Sequence, residues 1–286
     1  MKTITSLLVF LSIITISAQN EVTIKTTALT SNVYMLEGQG GNIGISIGND
    51  GVIMIDSQFA RLTPKILEAV KALSDKPIKL LLNTHWHGDH TGGNENIEKL
   101  GTTIIAHNNV FKRLNDASKD GKDKTGLPLI SFNDELSLHI NGELVLVFHV
   151  ENAHTDGDSM LYFTESNVLH TGDTFFSERY PYIDLNSGGS VDGYINAVKK
   201  ALILIDDETK IIPGHGKLST KADYKSFLNM LEYLKLNVLT EIANGKTEDD
   251  VANNSELTKT FDDLGYGWRL VDSEKILRTF YKSLKQ

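Results

Sequence analysis

The sequence predicts a mixed α/β fold built on two sheets, and three observations carry that expectation. Short apolar runs that end at Gly, Pro or Asn recur along much of the chain, as buried strands stopped at turns require. Between and after them lie longer stretches with apolar residues three or four apart, the spacing of a helix that buries one face. The length of 286 residues and a hydrophobic fraction of 40% suit one α/β domain of the larger kind, with room for two packed sheets.

The first residues carry an address. Met1-Lys2 is a positive start, residues 4–16 are apolar, and Ser17-Ala18-Gln19-Asn20 offers small residues for cleavage after Ala18 or Gln19. Residues 1–19 are therefore expected to be a signal peptide and 20–286 a single domain. The apolar stretch is shorter than the roughly 20 residues a membrane-spanning helix needs. Export to the periplasm or beyond follows, with no stable membrane insertion after cleavage. The chain has no Cys, so it carries neither disulfides nor a lipid attachment site.

Val33-Tyr34-Met35-Leu36 reads as the first clear strand. Residues 42–47 and 51–55 read as a hairpin joined at Gly48-Asn49-Asp50. Helices are expected at 63–73, 93–100, 191–204, 221–244 and 273–284, which makes the chain helical from about residue 221 onward. The segment 118–124 is a polar, mixed-charge loop, and the acidic runs at 205–208 and 247–250 read as turns and solvated helix starts. There is no repeat at solenoid period, no low-complexity tract and no interdomain linker.

The hexapeptide His85-Trp86-His87-Gly88-Asp89-His90 is the feature that speaks to chemistry. With nine His in 286 residues, a His-x-His-x-Asp-His pattern arises by chance with probability on the order of one in a thousand. The preceding run Lys79-Leu80-Leu81-Leu82-Asn83-Thr84 reads as a buried strand entering a loop. Two His at i and i+2 on extended backbone point to one side, so His85 and His87 can hold one ion. Asp89 and His90 lie past a glycine that lets the loop turn sharply, free to face a second ion.

A divalent ion needs three or four ligands, and three further strand ends supply them. His154 follows the strand Leu144-Val145-Leu146-Val147-Phe148, Asp173 follows Val168-Leu169-His170-Thr171-Gly172 on a turn, and His215 follows Ile211-Ile212-Pro213-Gly214. This series, with the segments His154-Thr155-Asp156-Gly157-Asp158 and Pro213-Gly214-His215-Gly216, resembles the metallo-β-lactamase superfamily from near Val33 to at least Gly216. The resemblance implies a four-layer αβ/βα sandwich. It also implies a first zinc on His85, His87 and His154, a second on Asp89, His90 and His215, and Asp173 bridging the two.

Two ions roughly 3.5 to 4 Å apart clamp a hydroxide and lower its pKa toward neutrality, so an ester, thioester, lactone or amide carbonyl, including that of a β-lactam, is the expected target. Asp89 is the expected catalytic residue, ligating the second ion and orienting the nucleophile. An Asp at position 173 resembles hydroxyacylglutathione hydrolases more than lactamases with Cys in their ligand set. Nitrogen and oxygen ligands also suit iron or manganese. A small phosphodiester is the alternative substrate class. Another is a mononuclear iron enzyme like the persulfide dioxygenases of this superfamily, against which the complete second ligand set argues. The net charge of −9 argues against nucleic acid as a partner and leaves a small molecule as substrate.

The plainer reading holds for the rest. His107, His139, His149 and His170 have no ligand motif around them and read as structural or exposed, with His170 near enough to Asp173 to orient a ligand. Asp56 and Asp158 read as supporting partners of ligands or as turn caps, and Asp156 as a weaker candidate of the same kind. The aromatic run Phe175-Phe176-Ser177-Glu178-Arg179-Tyr180-Pro181-Tyr182 and the segment 187–190 are a candidate pocket wall, with packing the equal alternative. Trp86 either lines the mouth or packs beneath the loop, and residues 266–269 are a candidate cover for the cleft that no sequence pattern tests.

Overall fold

The computed structural model describes residues 22–118 and 124–285. The expected signal peptide and most of the loop at 118–124 lie outside the described residues.

The first sheet has seven strands in sequential order: β1 (Lys25–Ala28), β2 (Val33–Glu37), β3 (Ile43–Gly48), β4 (Gly51–Ile55), β5 (Ile78–Leu82), β6 (Thr103–His107) and β7 (Ile130–Phe132). The first four pair antiparallel through short turns, and β4 to β7 run parallel. Parallel pairing needs crossovers, and α1 (Thr63–Leu73) supplies the one between β4 and β5. Pro64 stands in the first turn of that helix, where its missing N–H costs nothing. The short helices α2 (Gly88–Thr91) and α3 (Asn94–Glu98) lie between β5 and β6, and α4 (Asn108–Ala117) follows β6.

The second sheet runs β12-β11-β10-β9-β8, from β8 (Glu135–Ile140), β9 (Glu143–His149), β10 (Ser159–Phe163), β11 (Val168–Phe176) and β12 (Lys210–His215). Only β11 and β12 are parallel, joined through α5 (Val191–Leu204). The chain ends in α6 (Lys221–Ala243), α7 (Glu248–Ala252), α8 (Lys259–Asp262) and α9 (Ser273–Leu284). Thr220 and Thr247 start α6 and α7 with reciprocal caps to Asp223 and Asp250, which accounts for the acidic run at 247–250.

Three apolar cores separate four layers. Met35, Ile53, Ile55 and Leu82 of the first sheet meet Val145, Val147, Leu161 and Ile212 of the second. Leu36, Ile45, Met54 and Leu81 face the other way, onto Ile66 and Val70 of α1 and Ile97 of α3. Met160, Leu169, Phe175 and Ile211 face Tyr194 and Val198 of α5, Phe227 and Leu231 of α6 and Phe280 of α9. β11 is buried along all nine residues, as a central strand covered on both faces must be. Among the described residues no helix is long and apolar enough to cross a membrane.

The expected helices at 63–73, 191–204 and 273–284 form over those residues, and that at 221–244 ends one residue early. The one expected at 93–100 is shorter, because Gly101 closes the chain in left-handed conformation (φ +87°). α4 was not among the expected helices. Its polar sequence buries only Val110 and it starts on a cap in which the His107 ring accepts from the Asn109 N–H.

Candidate metal centre

All seven expected residues converge where strand ends of both sheets open. β5 ends at Leu82, and the chain passes His85 and His87 before entering α2, which carries Asp89 and His90. His87 keeps extended backbone (φ −63°, ψ 149°) as the residue preceding that helical turn. Gly88 does not adopt positive φ, and a side chain there would meet nothing. The expected glycine-enabled bend is therefore corrected: the onset of a helix turns the hexapeptide. His154 lies in the loop between β9 and β10, and His215 is the last residue of β12. Asp173 is likewise corrected, since it stays inside β11 rather than on a turn beyond it. There the pairing with β12 is irregular on either side of Gly172 (φ +53°), and such a bulge re-aims the next side chain.

The ligand atoms form two clusters, His85, His87, His154 and Asp173 in one and Asp89, His90 and His215 in the other, each within 4.8 Å. His87 Nδ1 is 3.2 Å from His85 Nε2 and 2.9 Å from His154 Nε2. Asp173 stands between the clusters. Its Oδ2 is 3.8 Å from His85 Nε2, 3.5 Å from His154 Nε2 and 3.4 Å from His215 Nε2, while Oδ1 is 3.0 Å from His90 Nε2. Asp89 Oδ2 is 3.3 Å from His215 Nε2 and 3.8 Å from His90 Nε2.

In the first cluster the far nitrogen of each ring is occupied, which leaves the near one free to ligate. His154 Nδ1 donates to the Tyr182 carbonyl at 2.7 Å, His87 Nε2 to Asp184 at 3.0 Å, and His85 Nδ1 lies 3.1 Å from the Thr84 hydroxyl, whose own proton goes to Asp56. Each neutral ring then presents a bare lone pair to the other two. Two such lone pairs lie within 3.2 Å of the one on His87 Nδ1, and the three repel one another unless a cation sits among them. His90 repeats the pattern, with Nδ1 on Asp56 at 2.7 Å and Nε2 facing Asp173 Oδ1 at 3.0 Å, two buried atoms that are close but not aligned as a hydrogen bond and have no other partner. The residues fit two divalent cations, with Asp173 shared.

Electrostatics agrees. Burial, helped by neighbouring imidazoles, holds His85 well below its ordinary pKa and His154 down at about 4, so both rings are neutral and able to ligate at pH 7. Burial also opposes charge on His90 and His215, but the carboxylates around them prevail. Asp173, Asp56 and Asp89 raise His90 well above its usual value, and Asp173 and Asp89 raise His215 to about 9. Burial would push the Asp173 carboxyl up, but His215, His90 and His85 hold it well below the usual range. The second cluster thus favours positive charge, whether a proton or a metal ion carries it.

Several supporting groups come from elsewhere. Asp56 is fully buried and binds His90, the Thr84 N–H at 2.8 Å and the Thr84 hydroxyl at 2.7 Å. Asp184, which holds His87, was not singled out in the sequence, and no motif marks it. It caps a 3-10 turn, Leu185–Ser187, ahead of α5. Asp158 is buried with its pKa pushed up to about 8 and binds the Thr155 N–H and hydroxyl, shaping the loop beside His154. Asp156 pairs with Arg113 through two bonds of 2.7 and 2.8 Å and touches no ligand. His170 makes no direct hydrogen bond to the seven: its Nδ1 accepts from the Gly172 N–H at 3.2 Å and its Nε2 lies 3.3 Å from the Asn42 carbonyl, and Asn42 in turn binds the carbonyls of Pro213 and Gly216 around His215. His107 and His149 stack at 3.9 Å outside both clusters, and His139 is exposed on β8.

The clusters open into a cleft of 390 Å³ lined by Phe59, Phe176, Tyr182, Trp268 and Leu270 above His87, Asp89, Asp173 and His215. The aromatic run thus divides. Phe176 and Tyr182 face the cleft, whereas Phe175 packs on Tyr224 and Phe227, and Tyr180 is buried with its hydroxyl on Asp262. Of 266–269, Trp268 reaches the cleft. Trp86 is half-buried beneath the Arg113 guanidinium, 5.7 Å from its ring.

Fold and site together define a metallo-hydrolase with a potential dinuclear centre set at the strand ends of a sheet sandwich. The chain belongs to the metallo-beta-lactamase superfamily, whose family model matches residues 26–215. It is 32% identical over 152 residues to a hydroxyacylglutathione hydrolase of Pelagibacter ubique, an alignment covering 51% of this chain and 56% of that one. It is 22% identical over 237 residues to a type 2 metallo-beta-lactamase of Bacteroides fragilis, covering 76% and 90%. Among solved structures, a metallo-beta-lactamase from Pontibacter korlensis superposes with a TM-score of 0.65 at 18% identity, covering 73% of this chain and 99% of that one. The inverting sec-alkylsulfatase Pisa1 from Pseudomonas sp. gives 0.71 at 15%, covering 91% and 50%. These structural likenesses concern the fold.

Proposed function

We propose that the protein is an exported hydrolase that uses two zinc ions to cleave an ester, thioester, lactone or amide bond of a small molecule. The observation that carries this reading is the set of bare imidazole lone pairs converging beside the buried, shared carboxylate of Asp173. A bound pair of divalent cations supplies Lewis acidity to the scissile carbonyl and makes water acidic enough to attack at pH 7.

The remaining work falls to this chain. Asp89 is the more exposed carboxylate of the centre, with 28% of its side chain accessible against 5% for Asp173. Burial would raise its pKa, yet His90 and His215 keep it low, so it is ionised and able to take the proton of the attacking water and pass it to the leaving group. Asp56, Asp184 and the Tyr182 carbonyl fix three imidazoles by their far nitrogens and thereby orient the ligand atoms. Phe59, Tyr182 and Trp268 narrow the cleft and exclude bulk water. The apolar residues 4–16 after Lys2 support export.

Metal analysis of protein purified without chelator is expected to give about two zinc per chain. One iron per chain with persulfide-dependent oxygen uptake would overturn the reading. A hydrolysis screen across thioesters, lactones, nitrocefin and aryl phosphodiesters then locates the substrate class, and turnover of phosphodiesters alone would replace the acyl assignment. Asp89→Asn is expected to lower kcat by about 10² to 10⁴ with metal retained, as loss of a general acid–base group does. Full activity in that variant removes Asp89 from the mechanism.

A further inference from the structure

The family match ends at residue 215, yet two residues of the cleft wall, Trp268 and Leu270, come from beyond it. They lie on the turn between α8 and α9, which is fastened to the loop that follows β11. The Tyr180 N–H donates to the Tyr266 carbonyl at 3.0 Å, and Trp268 Nε1 donates to the Tyr180 carbonyl at 2.9 Å. Trp268 and Val271 exchange backbone bonds of 3.0 and 3.1 Å. Tyr180 is itself buried and anchored on Asp262. With its only polar atom spent on a backbone carbonyl, the indole is held in place and presents apolar surface.

That surface faces the reaction centre. Trp268 lies 5.8 Å from Phe176 and 6.4 Å from His215, and Phe176 stacks on His215 at 5.0 Å. Leu270 continues the apolar wall outward to solvent, and Tyr182 stands 6.1 Å from His87 on the other cluster. Among the described residues no Lys or Arg lines the cleft, and the cations beside its walls, Arg61 and Arg179, are engaged with the Phe59 and Trp268 rings at 4.5 and 5.9 Å, so a substituent there is recognised chiefly by stacking and desolvation. Arg179 stands 5.9 Å from the indole ring, a cation contact that further holds the ring.

We propose that Trp268, continued by Leu270, is the specificity-determining wall of the site and selects carbonyl substrates with an aryl or bulky alkyl group beside the scissile bond. The proposal rests on the hydrolase reading above. It assigns substrate choice to the C-terminal segment and leaves the metal ligands to the matched region.

The test compares zinc-loaded wild type with Trp268→Phe, Trp268→Ala and Leu270→Ala, each checked by thermal melting. Phenylacetyl and acetyl thioesters of one thiol serve as substrates, and calorimetric titration with phenylacetate and acetate gives a second readout independent of turnover. Wild type is expected to favour the phenylacetyl compound in both. Trp268→Ala is expected to cut that preference about tenfold, mainly through KM, in line with the discrimination one apolar group provides. Trp268→Phe retains most of it, and the exposed Leu270 change, which is mild for folding, lowers it about threefold. Absence of a preference in wild type, or an undiminished one in Trp268→Ala, overturns the proposal. Should no thioester be hydrolysed while the binding preference exists and vanishes in Trp268→Ala, the wall stands and thioesters leave the hydrolase reading, whose own failure is read from the wider hydrolysis screen and the metal content.

Discussion

Asp56 holds more of the site than its place in the sequence suggests. It adopts φ +63°, a left-handed conformation that Asp tolerates better than most residues, and is buried at the end of β4. From there one carboxylate takes the Thr84 N–H and hydroxyl and the His90 ring, fixing both the entry to the hexapeptide and the tautomer of a ligand. Asn has the same shape and the same tolerance of positive φ, so Asp56→Asn spares the backbone while removing the charge and replacing one of the two accepting oxygens with a donor. It is expected to weaken metal binding at the second cluster by about 10- to 100-fold, measured by competition with a chromogenic chelator. Wild-type affinity in that variant would mean that packing alone orients His90.

At the scale of elements, the site depends on how closely strands approach behind the ligands. β11 and β12 run parallel, and their pairing skips between Gly172–Pro213 and Phe176–His215. Pro213 offers no N–H for a ladder, which its strand tolerates because β12 is the sheet edge. Gly214 completes the arrangement: a Cβ there would collide with the Asp173 carboxylate and the Gly172 backbone. Gly41 plays the same part on the first sheet, since its Cβ would overlap the His90 ring. Gly214→Ala is expected to displace Asp173, destabilise the fold by about 1–3 kcal/mol, and leave fewer than two metals per chain. Urea unfolding and metal analysis together check this, and an unaltered metal content would show that Asp173 does not depend on the close approach.

At the scale of the whole molecule, the centre joins the two sheets. His85, His87, Asp89 and His90 follow β5 of the first, while His154, Asp173 and His215 belong to the second. A ligand that binds only the folded chain stabilises it by about 2.7 kcal/mol at a hundredfold excess over Kd. For a domain of this size that corresponds to roughly 5–10 °C. Chelation is therefore expected to lower Tm by at least that amount and added zinc to restore it, as followed by calorimetry. A Tm indifferent to chelator would show that the sheets hold together without the ions.

Much of this was legible along the chain because it is local. A ligand pattern packed into six residues is visible by itself, and the resemblance it carries singled out three more ligands, each following an apolar strand. The helices at 63–73, 191–204 and 273–284 announce themselves by apolar residues three or four apart. Tertiary structure alone decided that Asp184 reaches His87, that Asp56 rather than His170 orients a ligand, and that Trp268 meets the centre from 53 residues past His215. Such contacts join residues far apart in the chain through the stacking of sheets and helices. Their identity depends on which side chains that packing happens to bring within reach, and no short pattern in the sequence encodes it.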